Sequence, residues 1–205
     1  MMPDPIYVTA FVTLFVVIDP IGLAPLFIAL TRGLSAETTR RIGLRAVAVS
    51  AVLLTLFGLG GDRLLSGIGI SIAAFRIAGG ILLLLTALDM LFERRTQRRE
   101  GQAQDDDHHP SIFPLAMPLI AGPGALVTMV LLVGQAPGWG HWAAITGIML
   151  ANLVIVLVLF AASRPIARAL GRTGTMVVTR LLGMLLAALA VQFILDGLAG
   201  TELFA

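Results

Sequence analysis

The chain has 205 residues, 58% hydrophobic and only 13% charged, and its mean hydropathy is +0.96. That composition excludes a water-soluble domain, which at this length needs far more polar surface. Without Cys or Lys, disulfides, thiolate chemistry and Cys-ligated metals are excluded, and all 14 basic residues are Arg.

The hydrophobic residues fall into six blocks of roughly 20 residues, the length that crosses a bilayer as a helix. The predicted spans lie at about 5–30, 42–61, 70–92, 112–135, 141–163 and 175–198. The first has no basic segment before it, carries Asp4 and Asp19, and lacks a small-residue cleavage site, so it reads as a retained helix. It is interrupted by Asp19-Pro20-Ile21-Gly22-Leu23-Ala24-Pro25. Pro20 and Pro25 remove backbone donors and free the carbonyls of Val16 and Ile21. Asp19 stands about 21 Å of helix rise into the span. A carboxylate beside freed carbonyls can bind a cation or take up a proton, and an intramembrane charge is a functional candidate by default. Asp before Pro also suits the N-cap and N1 positions of a second half-helix; the two readings are compatible.

Span 2 carries only Ser50 and Thr55 as weak polar candidates. Span 3 holds Arg76 near one end and Asp89 near the other. The stretch 94–110 is a polar linker: Arg94, Arg95, Arg98 and Arg99, then Asp105-Asp106-Asp107-His108-His109. It reads as a solvated loop rather than a metal site.

Span 4 opens on Pro114-Leu115-Ala116-Met117-Pro118 and breaks again at Gly122-Pro123-Gly124. Non-helical backbone in lipid is tolerated only where protein or a water-filled cavity covers it. Paired breaks at matching places in two halves point to a transporter site. Gly22, Gly122 and Gly124 let a ligand approach the backbone, or let helices pack closely. The helix after each break offers N–H groups to an anion, while freed carbonyls suit an ammonium, and together these poles match a zwitterion. Span 5 holds Asn152, which can orient substrate or bond across helices. His141 falls at an interface, and Trp139 and Trp142 fall where an aromatic anchor belongs. Span 6 holds Arg180 and Asp196. Arg76 and Arg180 can act as gates that pair with acids such as Asp89 and Asp196, or can snorkel to headgroups. Gly79-Gly80, Gly147 to Ala151 and Gly183 to Ala187 read as packing faces, which allow a homo-oligomer without requiring one.

The two halves match. Pro20 and Pro123 are 103 residues apart, Arg76 and Arg180 are 104 apart, and Phe75–Leu83 resembles Thr179–Leu186. The expected fold is an all-α membrane protein of six transmembrane helices: residues 1–93 as a first three-helix repeat, 94–110 as a cytoplasmic linker, and 111–205 as a second, inverted repeat. Helices 1 and 4 are broken by Pro and Gly. Eleven Arg residues lie in the connections after spans 1, 3 and 5, and only Arg63 lies on the other side. The positive-inside rule then puts both termini outside the cytoplasm. Topology accounts for the Arg residues, so nucleic-acid binding is not implied. No nucleophile elbow, metalloprotease helix, phosphate loop or dinucleotide fingerprint is present, so the chain does not read as an enzyme and calls for no cofactor.

Asp-Pro-Ile-Gly-Leu-Ala-Pro-Leu-Phe at 19–27 resembles the Asn-Pro-x-Gly-x-x-Pro-x-Phe motif of the MarC family of bacterial inner-membrane proteins. Residues 114–125 resemble that family's Pro-Leu-Ala-x-Pro-Leu-x-Ala-Gly-Pro-Gly-Ala motif almost residue for residue. The resemblance covers essentially the whole chain and implies an integral membrane protein related to the LysE-type exporters, some members of which look like transporters of small neutral amino acids. It carries over Asp19, Pro20, Gly22, Pro25, Pro114, Pro118, Gly122, Pro123 and Gly124 as motif positions, and no catalytic residue. The departure is Asp19, where the family usually has Asn; it adds a charge able to couple to protons or sodium. The function expected from residues and resemblance together is alternating access for a small zwitterion in the inner membrane. The alternatives are a channel for a small neutral solute and a non-transporting envelope protein.

Overall fold

The structure is a computed structural model that describes residues 5–92 and 111–201. The predicted linker and its Asp/His run lie outside the described residues. All the described elements are helical: α1 Pro5–Ile18, α2 Pro20–Leu30, α3 Ala36–Gly67, α4 Ile72–Leu91, a π-helix Ser111–Ile120, α5 Pro123–Val133, α6 Trp139–Ala161 and α7 Ser163–Ala199. The turns follow local chemistry. Ser35 and Ser71 N-cap α3 and α4 by accepting from the amides of Thr38 and Ala74, at 3.2 and 3.1 Å. α7 bends at Gly171, whose backbone leaves the helical region (φ 61°, ψ −176°).

Five stretches are long and apolar enough to cross a membrane: Pro5–Leu30 taken through its break, Ala36–Gly67, Ile72–Leu91, Trp139–Ala161 and Thr173–Ala199. This is an integral, multi-pass membrane protein. The span predicted at 112–135 is not one continuous helix. It divides into a 10-residue π-helix and the 11-residue α5, each too short alone. The first piece has the wider turn of a π-helix: Ala121 donates to the Ala116 carbonyl, five residues back, at 2.9 Å. The second span is also longer than predicted, because Ser35 starts α3 well before the apolar block.

The broken helix is the centre of the bundle. In Pro5–Leu30, 61% of the apolar stretch is buried, against 22–33% in the other four spans. α5 is buried along most of its length. The outer helices turn Val52, Leu56, Leu85, Val154, Val158 and Leu181 outward, as a lipid-facing surface requires. Directions are fixed by contacts. The rings of Tyr7 and His141 lie 5.9 Å apart, and those of Phe27 and Phe160 stack at 4.1 Å, so α1–α2 and α6 run parallel. Val17 packs at Gly124, while His141, level with Tyr7, bonds the Leu132 carbonyl, so α1 and α5 run antiparallel.

α4 makes its most extensive contact with α7, also antiparallel. The seam is built on glycine. A Cβ at Gly80 would lie 2.7 Å from the Ala190 carbonyl and 2.6 Å from Ile194; one at Gly183 would lie 3.3 Å from the Ala87 carbonyl and 3.4 Å from Leu91. At Gly80 the backbones are too close to admit a side chain, and at Gly183 the fit is tight. By contrast, Gly147 has open space around it and Ala151 is exposed, so that small-residue pair is not a packing face within the chain.

Candidate functional site: two helix breaks side by side

Asp19 is the pivot between α1 and α2. Its amide still donates to the Phe15 carbonyl at 2.9 Å, closing α1, and its carbonyl accepts from Leu23 at 3.0 Å, opening α2. Its backbone is left-handed (φ 56°, ψ 62°), the one positive φ at a non-glycine among the described residues. Asp and Asn are the side chains that tolerate this region best after Gly. The carboxylate Oδ1 accepts from the Gly22 amide at 3.0 Å, so Asp19 is the N-cap, with Pro20 at N1. It is 1% exposed. A Cβ at residue 22 would strike this carboxylate, so Gly22 is needed for space, not for backbone freedom.

The second break has the same skeleton with a different cap. Gly122 is the N-cap of α5 and Pro123 its N1, but no side chain bonds the α5 amides. α2 and α5 are each 11 residues long and begin 103 residues apart. A Cβ at Gly124 would lie 3.5 Å from Val17 and 3.0 Å from Leu83, so the two breaks are neighbours at the bundle centre. One helix start therefore carries a buried carboxylate, while the other presents amides without a side-chain cap.

Of the other predicted positions, Pro20 is buried, whereas Pro25 lies on an exposed face within α2 and Pro123 is exposed. Pro118 belongs to the π-helix. Asn152 is fully buried, and its Nδ2 donates to Ile148 at 3.1 Å and across to the Phe11 carbonyl of α1 at 3.5 Å. The bond between helices is thus observed. Arg76 and Asp89 are half-buried, and Arg180 and Asp196 are exposed. The α4–α7 seam, with Gly197 on Ile77 and Gly183 on Met90, sets Arg76 level with Asp196 and Arg180 level with Asp89. Asp196 accepts from Gln192 at 2.7 Å.

Two residues exceed their sequence reading. Ser50 is fully buried and donates to its own Ala46 carbonyl and, at 3.3 Å, to Ala116 of the π-helix. His141 is not at an open interface: it is 8% exposed and bonds the Leu132 carbonyl at 2.9 Å.

The chain matches the MarC family integral membrane protein over residues 5–201. It belongs to the MarC family. Its MarC relatives are named UPF0056 membrane proteins. One from Archaeoglobus fulgidus is 38% identical over 94% of this chain and 92% of its own length. YvbG of Bacillus subtilis is 34% identical over 94% of each chain, and YhcE of Escherichia coli is 32% identical over 96% and 93%. No solved structure matches the chain. Both breaks and the α4–α7 seam lie within the region matched to the MarC family.

Proposed function

We propose that this MarC protein is a secondary carrier of small neutral amino acids, or similar small zwitterions, that works by alternating access. The observation that carries the reading is the adjacency of two matched half-helix starts of opposite character, in the middle of an apolar bundle. The uncapped amides of α5 suit a carboxylate. Asp19 and the carbonyl of Val16, freed by Pro20, suit an ammonium. Asp19 gives the site a charge that protons or sodium can couple to. Large polar and aromatic side chains are scarce near the breaks, which favours a small solute, and no chemical transformation is assigned to the site.

The proposed architecture is six crossings in two inverted halves. Supporting it, α2 and α5 start 103 residues apart, as do α3 and α6. Gly80 meets Ala190 and Ile194, while their counterparts 103 residues away, Gly183, Ala87 and Leu91, meet in the same way. Reciprocal contacts of this kind are the mark of a two-fold relation. Parallel α1/α6 and antiparallel α4/α7 agree with six crossings. The proposed location is the bacterial inner membrane with both termini outside, from the arginine distribution, and the four levelled charges Arg76, Asp196, Arg180 and Asp89 would close the two faces in turn.

The test is uptake and counterflow of labelled glycine and alanine in proteoliposomes, with and without imposed pH or sodium gradients. Saturable counterflow that answers one gradient is the expected result. Linear flux without counterflow would favour a channel, and no flux from folded protein would remove the amino-acid reading.

A further inference from the structure

Five Ser and Thr among the described residues settle their hydroxyls in one way. Thr31, Ser50, Ser66, Thr86 and Thr175 each donate to the carbonyl four residues back, at 2.7–3.0 Å. Thr13, Thr128 and Thr146 do not. They are 1%, 0% and 9% exposed, and their hydroxyl oxygens have no hydrogen-bond partner; nor do Oδ1 of the fully buried Asn152 and, apart from these helices in the first turn of α3, the hydroxyl of Thr39. A buried hydroxyl without a partner is costly, and more so in a membrane protein.

Thr13, Thr128 and Thr146 share one layer, and Asn152 stands six residues, about 9 Å of rise, beyond Thr146 on α6. Val17 meets Gly124, and α1 and α5 run antiparallel. Thr13 lies one turn before Val17 and Thr128 one turn after Gly124, so both fall on the contact faces and at the same level. Asn152 reaches the Phe11 carbonyl, and Thr146 lies between Asn152 and His141, which is level with Tyr7. The layer therefore occupies α1, α5 and α6, on the side of the breaks that faces the α5–α6 turn. Nothing apolar explains three unpartnered hydroxyls on three helices at one height, with an unpartnered amide oxygen about 9 Å further along α6.

We propose that this layer is the wall of the access route from that face to the breaks, closed in this structure. When α1 and α5 part, Thr13, Thr128, Thr146 and Asn152 bond to water and to the polar edge of a small solute on its way in. This rests on the carrier reading, but its first test is solvent access, which needs no flux.

The chain has no native Cys, so single substitutions report directly. Thr13→Cys and Thr128→Cys are close to isosteric. Gln135→Cys, in the exposed α5–α6 turn, identifies the face, and Leu14→Cys, fully buried beside Thr13, reports general breathing. A membrane-impermeant charged methanethiosulfonate is added to either side of vesicles holding the full chain. The expected result is that both threonine positions label from the side that labels Gln135→Cys, while Leu14→Cys stays silent. Silence at Thr13→Cys and Thr128→Cys, or equal labelling of Leu14→Cys, overturns the route; if glycine flux persists in that case, the carrier reading survives it. Labelling in a chain that moves neither glycine nor alanine supports the route and removes only the proposed solutes. A second measurement is Thr128→Val. It should raise the thermal midpoint and slow flux several-fold, whereas a lowered midpoint with unchanged flux would make Thr128 structural and overturn the proposal.

Discussion

Asp19 combines three demands in one residue: a left-handed backbone, an acceptor for the Gly22 amide, and burial. Asn meets the first two, so Asp19→Asn should keep the fold and change only the response of transport to pH or sodium gradients. Asp19→Ala loses the cap, at about 1 kcal/mol, and adds a left-handed alanine, at roughly 1–2 kcal/mol. It should lower the thermal midpoint in detergent, still insert, and abolish counterflow. Unchanged counterflow in Asp19→Ala would remove Asp19 from the coupling. The sequence made this residue visible because a carboxylate inside an apolar block is costly without a purpose. Ser50 was legible only as a weak polar candidate and Thr128 not at all, since small hydroxyls are common in membrane helices and only their neighbours distinguish them.

At the scale of elements, the α4–α7 seam depends on glycines whose importance differs in the structure but not in the sequence. Gly80→Ala would drive a methyl into the Ala190 carbonyl at 2.7 Å, and backbone there cannot yield. Gly183→Ala meets Met90 Cβ at 3.0 Å and its counterpart carbonyl at 3.3 Å, which shifts of a few tenths of an ångström absorb. Gly80→Ala should therefore destabilise more, by about 1–3 kcal/mol as overpacking does, while Gly147→Ala, in open space within α6, should be neutral or stabilise by up to about 1 kcal/mol. Thermal unfolding of the three variants in one detergent checks the order, and a Gly147→Ala loss as large as that of Gly80→Ala would show that face to be buried by another chain. The broken spans were legible from their prolines, but the π-helix was not: the same prolines suit a kink, a break or a wide turn, and Ser50 bonding to Ala116 helps to hold the last of these.

For the molecule as a whole, the number of crossings decides where the ends lie. Six put both termini on one face; five put them on opposite faces. Single cysteines at Gln135, Ser66 and Gly200 should label from one side of the membrane, and one at Ser35 from the other. Labelling of Gln135→Cys and Ser66→Cys from opposite sides would sink the inverted-repeat architecture. Composition and block length alone established a helical, multi-pass membrane protein, because lipid admits few other backbones. The 103-residue spacing likewise belongs to the chain. What only the tertiary structure decided is which groups meet: the two breaks through Val17 and Gly124, Asn152 with Phe11, and the hydroxyl layer of Thr13, Thr128 and Thr146. Hydropathy reports whether a residue can enter the membrane, but the side that it turns to its neighbours is set by helix rotation and depth, which follow from close packing at positions such as Gly80, Gly183 and Gly124.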